Sequence, residues 1–211
     1  MIYKFPGPKK PIEQGDIFYP LPLISISLEK IPVIEKEEIV EYDWLTLRNK
    51  PDSLVGLQII PTWGIVASQN CDATNSSLIS FFEINSFVDV TGLHPPLKKS
   101  EVNKWWKNTI TKKSREEAKW FYLPQNKKIG FKDRMAVDFK VMFQVLREDL
   151  EKHVKELRRG RLNEIAYEHY REKIAQYFRR YPYDEWYPLN KEELDEYIKE
   201  KGQVSRFKWQ K

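Results

Sequence analysis

The 211-residue chain has a single cysteine, Cys71, only three histidines, and no apolar run near the roughly 18 residues of a membrane span. One cysteine excludes an internal disulfide framework and a multi-cysteine zinc site. The first ten residues, MIYKFPGPKK, hold lysines and prolines but no apolar core, so no secretory signal is expected there. The expectation is a soluble, cytoplasmic protein with no membrane partner. Gly-rich phosphate loops, HExxH, DxDxDG loops and GxSxG elbows are all missing, so metal-dependent hydrolysis has no support and no metal or cofactor is expected. Carboxylate pairs occur as Glu37-Glu38, Glu116-Glu117 and Glu192-Glu193, but adjacent residues on a helix do not face each other. Internal repeats and low-complexity tracts are absent as well.

What is present suffices for a packed core: 41% hydrophobic, 14% aromatic and 32% charged residues. The length fits one domain, or one domain with a helical appendage. Net charge is +5 and unevenly spread. Residues 98–134 carry ten lysines and two arginines against four acids, a local +8, whereas 183–201 sums to −4. A clustered basic stretch is the footprint of a surface that faces phosphates. It also fits a solvated, lysine-rich helix face.

The N-terminal half reads as β. Gly15 to Pro20 is a turn leading into Leu21–Leu28, whose large and small apolar residues alternate as in a half-buried strand. A second strand with a loop is expected within Val33–Leu47. Short strands at 58–60 and 64–68 follow, separated by a Pro61-Thr62-Trp63 turn. Leu78–Val90, rich in β-branched and aromatic residues, is the clearest strand region. After Pro95-Pro96, Ser100 and Glu101 open a helix through residue 118. Trp120–Leu123 returns to strand, and apolar-rich Val137–Leu146 is expected to close the barrel. From Arg147 onward the apolar spacing is helical, broken near Gly160 and ended by Pro182, with Asn190 capping a last short helix.

The densest polar cluster, Ser68-Gln69-Asn70-Cys71-Asp72, lies at the exit of the apolar run Gly64–Ala67. A strand end fixes such residues rigidly and suits ligand contact. Cys71 would be a nucleophile if a cation or imidazole lowered its pKa, and His169 is the candidate partner. Against this, Cys71 also reads as a small apolar residue, and Asn70, Asp72 and Asn75 as turn formers. His94 reads as a loop residue and His153 as solvent-facing. Arg161, Glu164, Glu168 and Arg171 follow spacings of three and four, which equally makes a surface ion-pair ladder. Lys104-Trp105-Trp106-Lys107 and Lys119-Trp120-Phe121-Tyr122 interleave cations with aromatics, as stacking platforms for single strands do.

Gly15-Asp16-Ile17, Gly64-Ile65-Val66-Ala67-Ser68 with Asn70, and the strand Leu78–Ile84 are similar in layout to the PemK/MazF-type toxin barrel. That resemblance implies a small, strongly bent β-barrel and kinship to toxin–antitoxin endoribonucleases. The Arg-Pro that precedes, in the toxins, the strand matching Ile65–Ser68 is replaced here by Thr62-Trp63-Gly64, so the arginine that would stabilise phosphoryl charge is missing from its place. More of the chain resembles prokaryotic proteins that combine a GD start with an SQxCD motif, a later F-L-P strand and a helix of the form RL…EHxRE…FARFFxR. Here these are Ser68–Asp72, Phe121-Tyr122-Leu123-Pro124, and Arg161-Leu162 through Glu168-His169-Tyr170-Arg171 to Phe178-Arg179-Arg180. This likeness implies no activity.

The reading is therefore an α+β chain: a PemK/MazF-like barrel domain over 1–146 with a basic helical insertion at about 100–118, and a C-terminal helical region over 147–211. The expected function is a non-catalytic or degenerate nucleic-acid-associated module, in a prokaryotic defence or toxin–antitoxin setting. Lys104, Lys107, Lys112, Lys113 and Trp106 would contact RNA or DNA, and Asp16, Ser68, Gln69, Arg161 and Arg171 would line the ligand site. The alternatives are a metal-independent endoribonuclease or Cys-dependent hydrolase using Cys71, Asp72 and His169, and a component that binds a cognate protein.

Overall fold

The computed structural model describes residues 2–50, 53–87, 100 and 119–179. The expected basic helix, with Lys104, Trp106, Lys107, Lys112 and Lys113, lies outside the described residues, as does the helix expected after Asn190.

Along the described chain run β1 (Tyr3–Lys4), β2 (Asp16–Ile24), β3 (Ile31–Glu35), β4 (Glu38–Tyr42), α1 (Trp44–Leu47), β5 (Ile59–Val66), α2 (Asn70–Asn75) and β6 (Leu78–Ser86). Then come β7 (Trp120–Leu123), β8 (Met135–Leu146), α3 (Arg147–Lys152), α4 (Val154–Leu157), β9 (Arg158–Leu162) and α5 (Glu164–Phe178). The fold is α+β. Seven strands form one antiparallel sheet in the order β1-β9-β2-β5-β6-β8-β7, and β3 and β4 pair separately as a hairpin.

Strand alternation builds two cores, one on each face of the sheet. Ile17, Ile65 and Phe82 point into a cluster with Phe121, Leu123, Val137 and Phe139, closed over by Ala166 and Tyr170 of α5. Their chain neighbours Phe18, Val66 and Phe81 point the other way, onto Ile79 and Leu150 and against Val154 and Leu157 of the short helices. Burying each such side chain is worth about 1.5–3 kcal/mol, which makes this double coverage the main stabilising feature of the fold.

Register shifts between Phe18 and Leu21, between Ile17 and Phe18, and between Phe82 and Glu83 bend the sheet. The bend carries the two ends toward each other, so that the Tyr3 hydroxyl at the β1 end donates to the Pro124 carbonyl just past β7 at 2.8 Å. Among the described residues the backbone ladder stays open there, because β1 pairs only with β9 and β7 only with β8.

Four expectations are corrected. Gly15–Pro20 is not a turn ahead of a strand over Leu21–Leu28: Asp16–Pro20 already belongs to β2, where Asp16, Ile17 and Phe18 pair with β9, and β2 ends at Ile24. Pro61-Thr62-Trp63 does not turn but lies inside β5. Proline is tolerated because β6 pairs only with Trp63–Val66, and Pro61 faces another proline, Pro22, across β2. Val33–Leu47 is not a single strand but part of a hairpin and a helical turn. Its two-residue connection, Lys36-Glu37, takes positive φ at both positions, as a type I′ turn requires. Finally, the chain after Arg147 is not continuously helical: Arg158–Leu162 inserts as β9 between β1 and β2, so the sheet draws on both sides of residue 146. Gly160 is not a helix break there. A Cβ on it would collide with the Ile129 side chain and sit 3.3 Å from the Lys4 carbonyl, so glycine permits a close three-way approach.

Candidate functional site

The polar run at the end of β5 is held by a short network. The Gln14 amide donates to the Ala67 carbonyl at 2.7 Å, and the Gln14 backbone N–H donates to Asn70 Oδ1 at 2.8 Å. Ser68 Oγ accepts from the Ser80 N–H at 2.9 Å, and Gln144 Nε2 reaches Ser80 Oγ at 3.1 Å. These bonds tie the N-terminal loop, β5, β6 and β8 together at one end of the sheet. Asn163 caps α5 by accepting from the Ala166 N–H at 2.9 Å, and Tyr170 anchors it by donating to the Val66 carbonyl at 3.2 Å. Burial pushes the Tyr170 hydroxyl well above its ordinary pKa, so it stays a neutral donor.

Between this polar end and α5 lies a cleft of about 470 Å³, lined by Ser68, Gln69, Asp72, Ser80 and Gln144 and by the apolar Phe82, Met142, Ile174 and Phe178. It continues into a second hollow of about 530 Å³ along α5, where Glu168, Arg171 and Glu172 join the lining. Gln14, Gln69, Ile174 and Phe178 border both. The Gln69 side chain makes no hydrogen bond among the described residues, and Phe178 is 59% exposed. The cleft thus offers amides, hydroxyls and a carboxylate over an aromatic and aliphatic floor. Across the two hollows the charged lining is Asp72, Glu168 and Glu172 against Arg171, so together they repel rather than attract an isolated phosphate.

The structure sorts the expected site residues into three groups. Ser68, Gln69 and Asp72 line the cleft, and Arg171 lines the adjoining hollow along α5. Asp16 and Arg161 do not line it. They form a buried staple in which both Asp16 oxygens are engaged by Arg161, Nη2 to Oδ2 at 2.8 Å and Nε to Oδ1, while Arg158 reaches Oδ2 at 3.2 Å. Arg158 also donates to the Gly7 and Lys10 carbonyls, and both arginines donate to the Pro11 carbonyl, which fastens the N-terminal loop to β9. Burial works against the Arg161 charge, but Asp16 and Glu13 outweigh it and raise its pKa further. The expected ladder loses Arg161 to this strand and keeps only Glu168–Arg171, at 3.4 Å.

Cys71 and His169 form the third group. Cys71 is exposed on α2 and its hydrogen-bond partner is the Asp72 carboxylate at 3.7 Å, while His169 is exposed on α5. No hydrogen bond joins them and neither lines the cleft. The thiol–imidazole pair that nucleophilic catalysis needs is not assembled here.

Sequence reasoning missed Gln14, Ser80, Gln144 and Phe178. Ser80 and Gln144 were legible as polar residues interrupting apolar strands, whereas Phe178 matched the apolar spacing of a buried position and is exposed instead. No group of three or more His, Cys, Asp or Glu side chains suited to a metal occurs among the described residues, and no described helix is long and apolar enough to cross a membrane. No protein-family model matches the chain, nor does any curated protein or any solved structure.

Proposed function

We propose that the chain is a nucleic-acid-associated module that binds a single strand, with bases entering the cleft and phosphates facing the basic stretch 98–134. The cleft's lining carries this reading. Amides, hydroxyls and the Asp72 carboxylate match the donor and acceptor edges of an unstacked base, and the exposed Phe178 ring offers a stacking surface. The acidic balance of the cleft speaks for bases there and phosphates elsewhere. Among the described residues of the basic stretch, Lys119, Lys127, Lys128, Lys132 and Arg134 stand against Asp133 alone. A duplex presents phosphates outward and holds its bases stacked, so single strands fit better. The same reading relates the rolled sheet, its ends linked through Tyr3 and Pro124, to the toxin-type barrel and to a prokaryotic defence or toxin–antitoxin setting, with binding in place of cleavage.

The test is a titration against labelled single-stranded RNA, with duplex DNA in parallel, at two salt concentrations and with a gel to show whether the RNA stays intact. Salt-sensitive binding of intact RNA is expected. Reversal of Lys104, Lys107, Lys112 and Lys113 to Glu should flatten the salt dependence. Phe178→Ala should weaken binding by about 5-fold or more, the loss of roughly 1 kcal/mol of stacking. Binding indifferent to all these changes removes the proposal, and shortened RNA replaces it with a nuclease.

A further inference from the structure

Of the seventeen large apolar side chains exposed among the described residues, twelve fall between Ile24 and Ile60, the arm that carries the β3–β4 hairpin. The arm has a small core of its own, with Ile31, Val33 and Leu47 buried and Tyr42 packed on them. Its outer face should therefore be polar by strand alternation, and it is not. Ile34 lies directly across from Ile39 on β4. On the other side of β3, Val33 bridges to Val55 and the Ile34 N–H donates to the Leu54 carbonyl at 2.8 Å, which sets Leu54 beside Ile34. Leu54, Ile34 and Ile39 thus form one aliphatic row across three strands, exposed by 70%, 47% and 73%. Monomeric surfaces rarely leave such contiguous apolar ground uncovered.

Among the described residues the ribbon ends beyond Ile39: β4 pairs with β3 alone, and its outer N–H and C=O groups form a free edge there. That edge and its turn carry Glu37, Glu38 and Glu41, all exposed and none ion-paired among the described residues, whereas Glu35 is matched by Lys50 at 3.1 Å. Residues 24–60 hold seven acids against four cations, in a chain of net charge +5. A second copy pairing β4 with β4 would set these carboxylates against their own kind, which opposes self-association. A cationic strand meets the opposite situation.

From this surface we infer that the β4 edge is a docking site for an extended segment of another protein, with alternating aliphatic and Lys/Arg side chains, added to the hairpin as a further strand. Main-chain hydrogen bonds to the β4 edge supply the pairing, the Ile39–Ile34–Leu54 row receives the aliphatic side chains on one face, and Glu38, on the opposite face of β4, selects the cations. The inference is independent of the cleft, and its test does not involve RNA binding.

The probe is a labelled heptapeptide alternating Lys and Val, compared on the full chain with its Glu–Val counterpart and with an N-methylated Lys–Val version that cannot pair as a strand. Fluorescence anisotropy gives affinity, and amide chemical shifts locate the site. Binding of the Lys–Val peptide alone, with shifts centred on Glu38–Tyr42, is expected. Ile39→Asp and Leu54→Asp, both at mostly exposed positions and checked for unchanged melting, should each weaken it about tenfold. The change Glu38→Lys should transfer preference to the Glu–Val peptide. Equal affinity for both charges, no binding of either, shifts lying elsewhere, or undiminished binding of the N-methylated peptide overturns the inference. So does a dimer of the unmodified chain in sedimentation that Ile39→Asp dissociates, because the face then belongs to a second copy.

Discussion

At the scale of single residues, Asp16 is the most consequential side chain in the described structure. It is wholly buried, and its two oxygens are shared between Arg158 and Arg161, themselves almost fully buried. Breaking a buried ion pair from one side leaves the other charge uncompensated, at a cost of about 3–5 kcal/mol. Asp16→Asn should therefore lower the melting temperature by roughly 6–20 °C, while RNA affinity measured well below the melt stays unchanged. A variant that melts normally but loses affinity would return Asp16 to the ligand site. The importance of the Gly15-Asp16 pair was legible in the sequence, but its partner was not. Arg161 lies 145 residues away and reads locally as part of a helical ladder. Gly15, at φ +86°, takes the left-handed conformation that lets its N–H reach the Val66 carbonyl and its own carbonyl accept from Leu162.

At the scale of elements, β9 shows where local pattern fails. Arg158-Arg159-Gly160-Arg161-Leu162 has neither apolar alternation nor β propensity, and it is flanked on both sides by helical spacing. It becomes a strand because β1 and β2 flank it, because Asp16 binds two of its arginines, and because Gly160 lets Ile129 and the Lys4 carbonyl approach. Gly160→Val should thus be destabilising by about 1–3 kcal/mol through overpacking, although valine has far the better strand propensity. Urea unfolding measures this, and a stabilised variant would show that propensity and not packing decides the strand. Strands with strong β composition, β6, β7 and β8, were legible within a few residues. β5 was legible only in halves, because proline signals a turn unless its cross-strand partner is known. The cleft divides the same way: Ser68, Gln69 and Asp72 stand out close together along the chain, while Gln14, Gln144 and Phe178 reach it only through the fold.

For the whole molecule, the bend of the sheet has a titratable marker. The Tyr3 hydroxyl spans the gap between the sheet's ends, and burial, reinforced by nearby Tyr122, pushes its pKa well above the ordinary 10.0. Tyr170, which ties α5 to β5, is raised by burial as well. Both groups are neutral in either state below pH 10, so stability there is independent of them. Above it, the unfolded chain releases these protons while the folded chain retains them. The unfolded state then binds fewer protons, and stability falls with rising pH by about 1.4 kcal/mol per unit for each tyrosine. Tyr3→Phe should cost about 1 kcal/mol at neutral pH through loss of the hydrogen bond to Pro124. It should also make the decline above pH 10 shallower by one proton's worth, a difference read from urea midpoints across the alkaline range. Equal alkaline slopes for the variant and the parent would mean that Tyr3 ionises freely and that the two ends of the sheet are not held together through its hydroxyl.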